Sequence, residues 1–167
     1  MSLESTRISD IMNKDVKVEE QNQTIFAISR IMSDNNIGSV VIVDNHKNKN
    51  PVGIVTERDI IRIVDSLQPM NFQLHLKDHM SRPVITISSN ASISDAMKIM
   101  YERKIRRVII TEGDNLVGIV TEHDIFKLLM NNKDLLSNVI EDSVPIPRNQ
   151  IIEDLSHFWF DNTFLKQ

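Results

Sequence analysis

The chain of 167 residues contains no cysteine, four glycines, one tryptophan and one tyrosine. Without cysteine there are no disulfides and no thiolate metal sites. The glycines stand at 38, 53, 113 and 118, and none belongs to a G-x-x-x-x-G-K phosphate loop. Long apolar runs are missing too. The longest purely aliphatic stretch is Val40 to Val43, against the ~20 residues that a membrane helix requires. The opening MSLESTRISD has no basic start followed by an apolar stretch, so no secretion signal is expected and a cytoplasmic location is. Positive charge is not in excess: 19 Lys and Arg face 23 Asp and Glu, for a net charge of −4. Such a balance disfavours a broad nucleic-acid surface while leaving room for a small basic pocket. No nucleophile–base pair or cofactor loop can be assembled from spacing, so a non-catalytic role is expected.

What is present is ordinary globular composition, 41% hydrophobic and 25% charged, written twice. GIVTERDIIR from Gly53 and GIVTEHDIFK from Gly118 agree at seven of ten positions. Asp10 answers Asp78, Thr24 answers Ser92 and Ile37 answers Ile105, each 68 residues further on. The two glycines are 65 apart, so the first copy holds three extra residues in NHKNKNP, where the second has EGDN. Both are polar, turn-forming stretches, where insertions disturb least.

Each copy reads as the same set of elements. VKV and VITI are short β-branched runs, hence strands. Apolar residues at helical spacing follow Thr24 and Ser92, both cap residues. SVVIVD with PVGIVT, and RVIIT with LVGIVT, form hairpins, and second helices run over 59–67 and 124–131. Short helical turns over 8–12 and 76–80 precede the copies. The fold expected is α+β, two β-α-β-β-α repeats packed with pseudo-two-fold symmetry. One copy of about 60 residues would hide too little surface alone, so the pair should bury its sheets against each other. The divisions are 7–67, a linker over 68–74, 75–131, and a C-terminal helical tail over 132–167.

The shared phrase has two readings. Thr56-x-x-Asp59 and Thr121-x-x-Asp124 match a capping box, hydroxyl on the N3 amide and carboxylate reaching back. The same geometry suits a nucleoside phosphate. A helix N-terminus offers unpaired N–H groups and the positive end of a dipole, a threonine adds a hydroxyl, and a carboxylate can accept from two ribose hydroxyls.

The duplicated β-α-β-β-α unit carrying GIVTERD and GIVTEHD resembles the CBS domain, named after cystathionine β-synthase and usually found as a tandem pair. ISDIMNKDV, LKDHMSRPV and RKIRRVIITEGDNLVGIVTEHDI follow the family's pattern, and the resemblance spans roughly residues 7–131. It implies a flat disc with two clefts for adenosine-containing ligands, AMP, ADP, ATP or S-adenosylmethionine, and regulation of a linked protein. It further implies phosphate contacts at Thr56 and Thr121 and ribose contacts at Asp59 and Asp124. Base contacts would come from Val16–Lys17 and Val84–Ile85.

The copies differ where charge matters. Arg106 and Arg107 stand where the first copy has Gly38 and Ser39, Arg82 stands for Lys14, and His123 stands for Arg58. Arginine suits bidentate phosphate contact, and histidine titrates near neutral pH. Two clefts of unequal affinity follow, the better one relying on Arg106 or Arg107. Each of these charges could equally be a solvated surface residue. His75 and His79 are spaced i, i+4 beside Asp78, but their partners in the first copy are Arg7 and Ile11, so no metal is expected.

Beyond residue 131 the repeat stops. HFWFDNTF concentrates Phe158, Trp159, Phe160 and Phe164, a helical surface for docking on its own module, on a second copy or on another protein. Two functions therefore compete. One is a regulatory adenosine-nucleotide sensor acting as a homodimer; the other is a structural, partner-binding module whose Thr and Asp act only as caps.

Overall fold

The computed structural model describes residues 3–66 and 76–137. Its centre follows from the alternation of two strands. β2 (Ser39–Val43) is apolar at all but its first position, and β5 (Arg107–Glu112) is buried from Val108 through Thr111, so both faces of each must be covered. Val40 and Ile42 face the helices of the first copy, Val108 and Ile110 those of the second. The alternate residues Val41, Val43 and Ile109 form a third cluster with Val16, Val18, Ile54, Val84 and Ile119 from both copies. Successive side chains point to opposite faces of a strand, so one β-branched run serves two cores.

Each copy builds a three-stranded sheet of the same design. In the first, β1 (Val18–Glu20) runs parallel to β2, and β2 runs antiparallel to β3 (Pro51–Thr56). In the second, β4 (Thr86–Ser88), β5 and β6 (Asn115–Thr121) repeat that order. α1 (Ile25–Asn35) and α3 (Ile93–Arg103) connect the first two strands, and α2 (Glu57–Ser66) and α4 (Glu122–Asn131) follow the third. The expected α+β fold of two β-α-β-β-α repeats is the fold observed.

Element ends differ from expectation in three places. The first strand of each copy starts late, so Val16–Lys17 and Val84–Ile85 precede β1 and β4. Each segment still gives the central strand one bond, Val41 N–H to the Lys17 carbonyl and Ile109 N–H to the Ile85 carbonyl. α2 and α4 begin at Glu57 and Glu122 rather than at the aspartates, because the threonine is the cap and helix follows it directly. The lead-in turns are tight 3-10 turns of three residues, Ile8–Asp10 and Leu76–Asp78. Most of the tail lies outside the described residues. Its first residues, 133–137, are helical, and Leu135 is buried with the second copy's core.

The lead-in segments are exchanged between the copies. Ile8, fully buried, sits in the second copy's core, whereas Leu76, also fully buried, sits in the first copy's core with Met80. Backbone bridges seal the exchange: Asn13 pairs with Ile119, and Ser81 with Ile54. The exchange also explains the glycine that opens the repeated phrase. A Cβ on Gly118 would lie 2.7 Å from Met12 Sδ and 3.2 Å from the Asn13 carbonyl oxygen, and one on Gly53 would overlap Met80. Only hydrogen leaves room for the methionine crossing from the other copy.

Candidate nucleotide-binding cleft

The threonine–aspartate turns are assembled in both copies. Asp59 Oδ2 accepts hydrogen bonds from Thr56 N–H (2.9 Å) and Thr56 Oγ1 (2.7 Å), and Asp59 N–H reaches Thr56 Oγ1 at 3.4 Å. Asp124 Oδ2 meets Thr121 N–H (2.8 Å) and Oγ1 (2.6 Å) in the same way. The capping box read from sequence is therefore real, and it occupies one carboxylate oxygen per copy. Asp59 Oδ1 accepts from Ser81 Oγ at 3.2 Å, a side chain of the second copy. At the position matching Ser81 stands Asn13, whose Oδ1 accepts the N–H of Asp15.

Thr56 and Asp59 open into a cleft of about 260 Å³ formed by both copies. That is near the ~300 Å³ lower bound of ordinary small-molecule pockets. The first copy gives Ile54, Thr56, Arg58, Asp59 and Arg62. The second copy gives Ser81, Pro83, Val84, Ile85, Ile109 and the run Lys104–Arg107. Sequence could not say which turn shares a cleft with Arg106 and Arg107; strand parity decides it. Arg107 lies two residues before Ile109, on the face of β5 that looks at the other sheet, so it is directed to the first copy's Thr56.

Seven of the fourteen residues singled out in the sequence line this cleft: Thr56, Arg58, Asp59, Val84, Ile85, Arg106 and Arg107. Arg82 is exposed between Ser81 and Pro83 and is not part of the lining. The other six, Val16, Lys17, Ser39, Thr121, His123 and Asp124, belong to the repeat-related side. There the Asn13–Ile119 bridge brings the first copy's lead-in against β6. Lys17 Nζ is held there by Asp15 at 3.2 Å.

Sequence reasoning missed Arg62, Lys104 and Ser81. Arg62 carries a legible signal, one helical turn beyond Arg58. Lys104 and Ser81 carry none, since only the crossing of the copies brings them in. Arg107 is half-buried, and loss of hydration, followed by the adjacent Arg106, lowers its pKa from the ordinary arginine value. Both effects make it receptive to an anion. On the rim, Arg106 Nε lies 3.9 Å from Glu122 Oε1.

Among the described residues no group of three or more His, Cys, Asp or Glu is placed to hold a metal ion, and His75 lies outside them. No helix among them is long and apolar enough to cross a membrane.

Comparison with known proteins agrees with this architecture. A family model for the CBS domain matches twice, over residues 8–66 and 76–131. The uncharacterized protein MK0525 of Methanopyrus kandleri is 35% identical over 127 residues, which cover 75% of this chain and 64% of that protein. The chain thus spans less than two thirds of that relative's length. The uncharacterized protein MJ0653 of Methanocaldococcus jannaschii is 38% identical over 158 residues, covering 95% of this chain and 78% of that one. A crystal structure of the CBS domain pair of protein MJ0100, in complex with 5'-methylthioadenosine and S-adenosyl-L-methionine, superposes with a TM-score of 0.67. It is 27% identical and covers 75% of this chain and 97% of that one. The exchanged lead-ins, the paired sheets and the two family matches agree: this chain is a tandem pair of CBS domains and belongs to the CBS domain family.

Proposed function

We propose that the chain is a regulatory, non-catalytic module that binds an adenosine nucleotide in the Thr56–Asp59 cleft. One observation carries the reading: the cleft takes Thr56 and Asp59 from one copy, and Arg106, Arg107 and most of its apolar wall from the other. Val84, Ile85, Ile54 and Ile109 offer a dry wall for a base, Asp59 a hydroxyl acceptor, and the start of α2 with Arg106 and Arg107 an anion site. A ligand spanning both copies binds best in one relative placement of them, and that preference is what allows it to regulate a partner. The MJ0100 pair, complexed with 5'-methylthioadenosine and S-adenosyl-L-methionine, supports an adenosine-containing ligand, and the phosphate part of the reading rests on the cleft's cations.

The competing module reading draws on a different surface. Phe26, Ile61 and Val64 on α1 and α2 are about two-thirds exposed and offer an apolar contact face for a second copy of the chain. A contact there does not exclude a ligand in the cleft, since none of the three residues lines it.

Calorimetric titration with AMP, ADP, ATP and S-adenosylmethionine tests the proposal. Asp59→Ala should weaken nucleotide binding roughly a hundredfold through loss of two charge-assisted hydrogen bonds. Asp124→Ala should leave that site intact. Each loses a helix cap, at about 0.5–2 kcal/mol of stability, so stability alone does not separate them. Equal effects of both on the tight site, or no binding at all, would refute the assignment.

A further inference from the structure

We propose that the Thr56–Asp59 cleft ranks adenosine ligands by phosphate number, favouring the triphosphate over the monophosphate and rejecting cationic S-adenosylmethionine. This rests on the nucleotide reading above and narrows it. Five cations line the cleft, Arg58, Arg62, Lys104, Arg106 and Arg107, against one acid, Asp59. Glu57 and Glu122 at its edge offset only part of that excess. At the related positions of the repeat stand His123, Lys127, Asn36, Gly38 and Ser39, with Asp124 as the acid. The repeat thus supplies an internal reference: the same scaffold has one cation-rich side and one nearly balanced side.

Three details argue that these charges belong to the cleft and are not scattered surface residues. Arg58 and Arg62 lie one turn apart on α2, extending the anion site of the helix start outward along one stripe. Arg107 is half-buried and reaches to Gly38, where a Cβ would lie 3.3 Å from its Nη2 and 3.2 Å from Glu57 Oε2. Gly38 therefore makes room for a guanidinium sent across from the other copy.

Lys104 supplies the third. It caps α3 in the left-handed conformation, φ 53°, as Asn36 caps α1 at φ 51°. Asparagine tolerates that region through local hydrogen bonding, whereas lysine has no such help. A cation is kept there against its backbone preference, at the mouth of the one side where an anion would sit. The phosphate chain of a nucleotide, anchored at Thr56, would extend over Arg106 and Arg107 toward Arg62 and Lys104.

The test uses the full chain titrated with adenosine, AMP, ADP, ATP and S-adenosylmethionine at low and high salt. Affinity should rise about tenfold with each added phosphate at low salt, and the steps should shrink as salt is raised. Lys104→Asn copies the first copy's own cap and relieves the backbone. It should melt no lower than the parent and cut the ATP-over-AMP preference several-fold. Arg62→Gln should do the same without affecting adenosine. If adenosine, AMP and ATP bind within threefold of one another, or if Lys104→Asn leaves the ratio unchanged, the ranking is wrong while the adenosine site stands. If none of the compounds binds, the nucleotide reading falls, and the ranking with it.

Discussion

The two copies share a skeleton and differ at their clefts. Gly53 and Gly118 each admit a methionine from the opposite copy, Ile8 and Leu76 each fill the opposite core, and both Thr–Asp turns close with the same bonds. Charge does not follow that symmetry: Lys104, Arg106 and Arg107 face Thr56, while Asn36, Gly38 and Ser39 are their counterparts. Packing tolerates few changes, because interior density penalises a single added methylene. A cleft wall in contact with solvent carries no such constraint, so duplicated copies can diverge there without loss of fold.

The comparison can be broken most severely at the exchanged anchors. Leu76→Ala and Ile8→Ala should each cost about 2–5 kcal/mol in urea unfolding, as expected for a fully buried aliphatic side chain. Hydrogen exchange should show Leu76→Ala loosening β2 and α1, elements of the copy to which it does not belong in sequence. Exchange confined to its own copy would disprove the interlock. Unfolding in two separate transitions would do so as well.

A smaller effect sharpens the same symmetry. Gly118→Ala should destabilise by about 1–3 kcal/mol, since its new Cβ meets both Met12 and the Asn13 carbonyl. Gly53→Ala meets only the Met80 side chain, which can rotate aside, and should cost less. The reverse order in thermal melts would show that Met80, not the Asn13 carbonyl, is the neighbour that cannot yield.

The smallest effect distinguishes the helix starts. Ser92 and Asp95 form a capping box on α3, whereas Thr24 caps α1 with Ala27 at the matching position. Ala27→Asp should add about 0.3–1.5 kcal/mol. The side-chain and then the backbone hydrogen bond from Ser92 hold the Asp95 carboxyl below the usual carboxylate range. Folded Asp95 thus takes up its proton at lower pH than the unfolded chain does. Its contribution is fully present above about pH 4 and fades as pH falls through the folded value. Asp95→Asn should lower the melting temperature near neutral pH, with the difference from the parent vanishing in acid. A constant difference down to pH ~2 would remove the carboxylate from the account.

Much of this was legible in the residues. Cap residues, β-branched runs and turn-rich gaps act over a few positions, so the order of elements and the duplication could be read directly, as could Thr56, Asp59, Thr121 and Asp124. β1 and β4 start two residues later than the runs from Val16 and Val84 suggest, because a β-branched residue marks a strand without saying where its partner begins. Lys104 and Ser81 carry no local pattern that marks a site. Their membership of the cleft depends on a chain crossing that no local pattern encodes.

Side-chain spacing and backbone chemistry within one copy are enough to specify a twofold α+β chain with a capped acidic turn after each hairpin. Which turn meets which arginines, and why the phrase opens on glycine, is settled by packing between the copies. Both depend on two copies exchanging their lead-in segments, and steric fit between residues far apart in the chain fixes that arrangement.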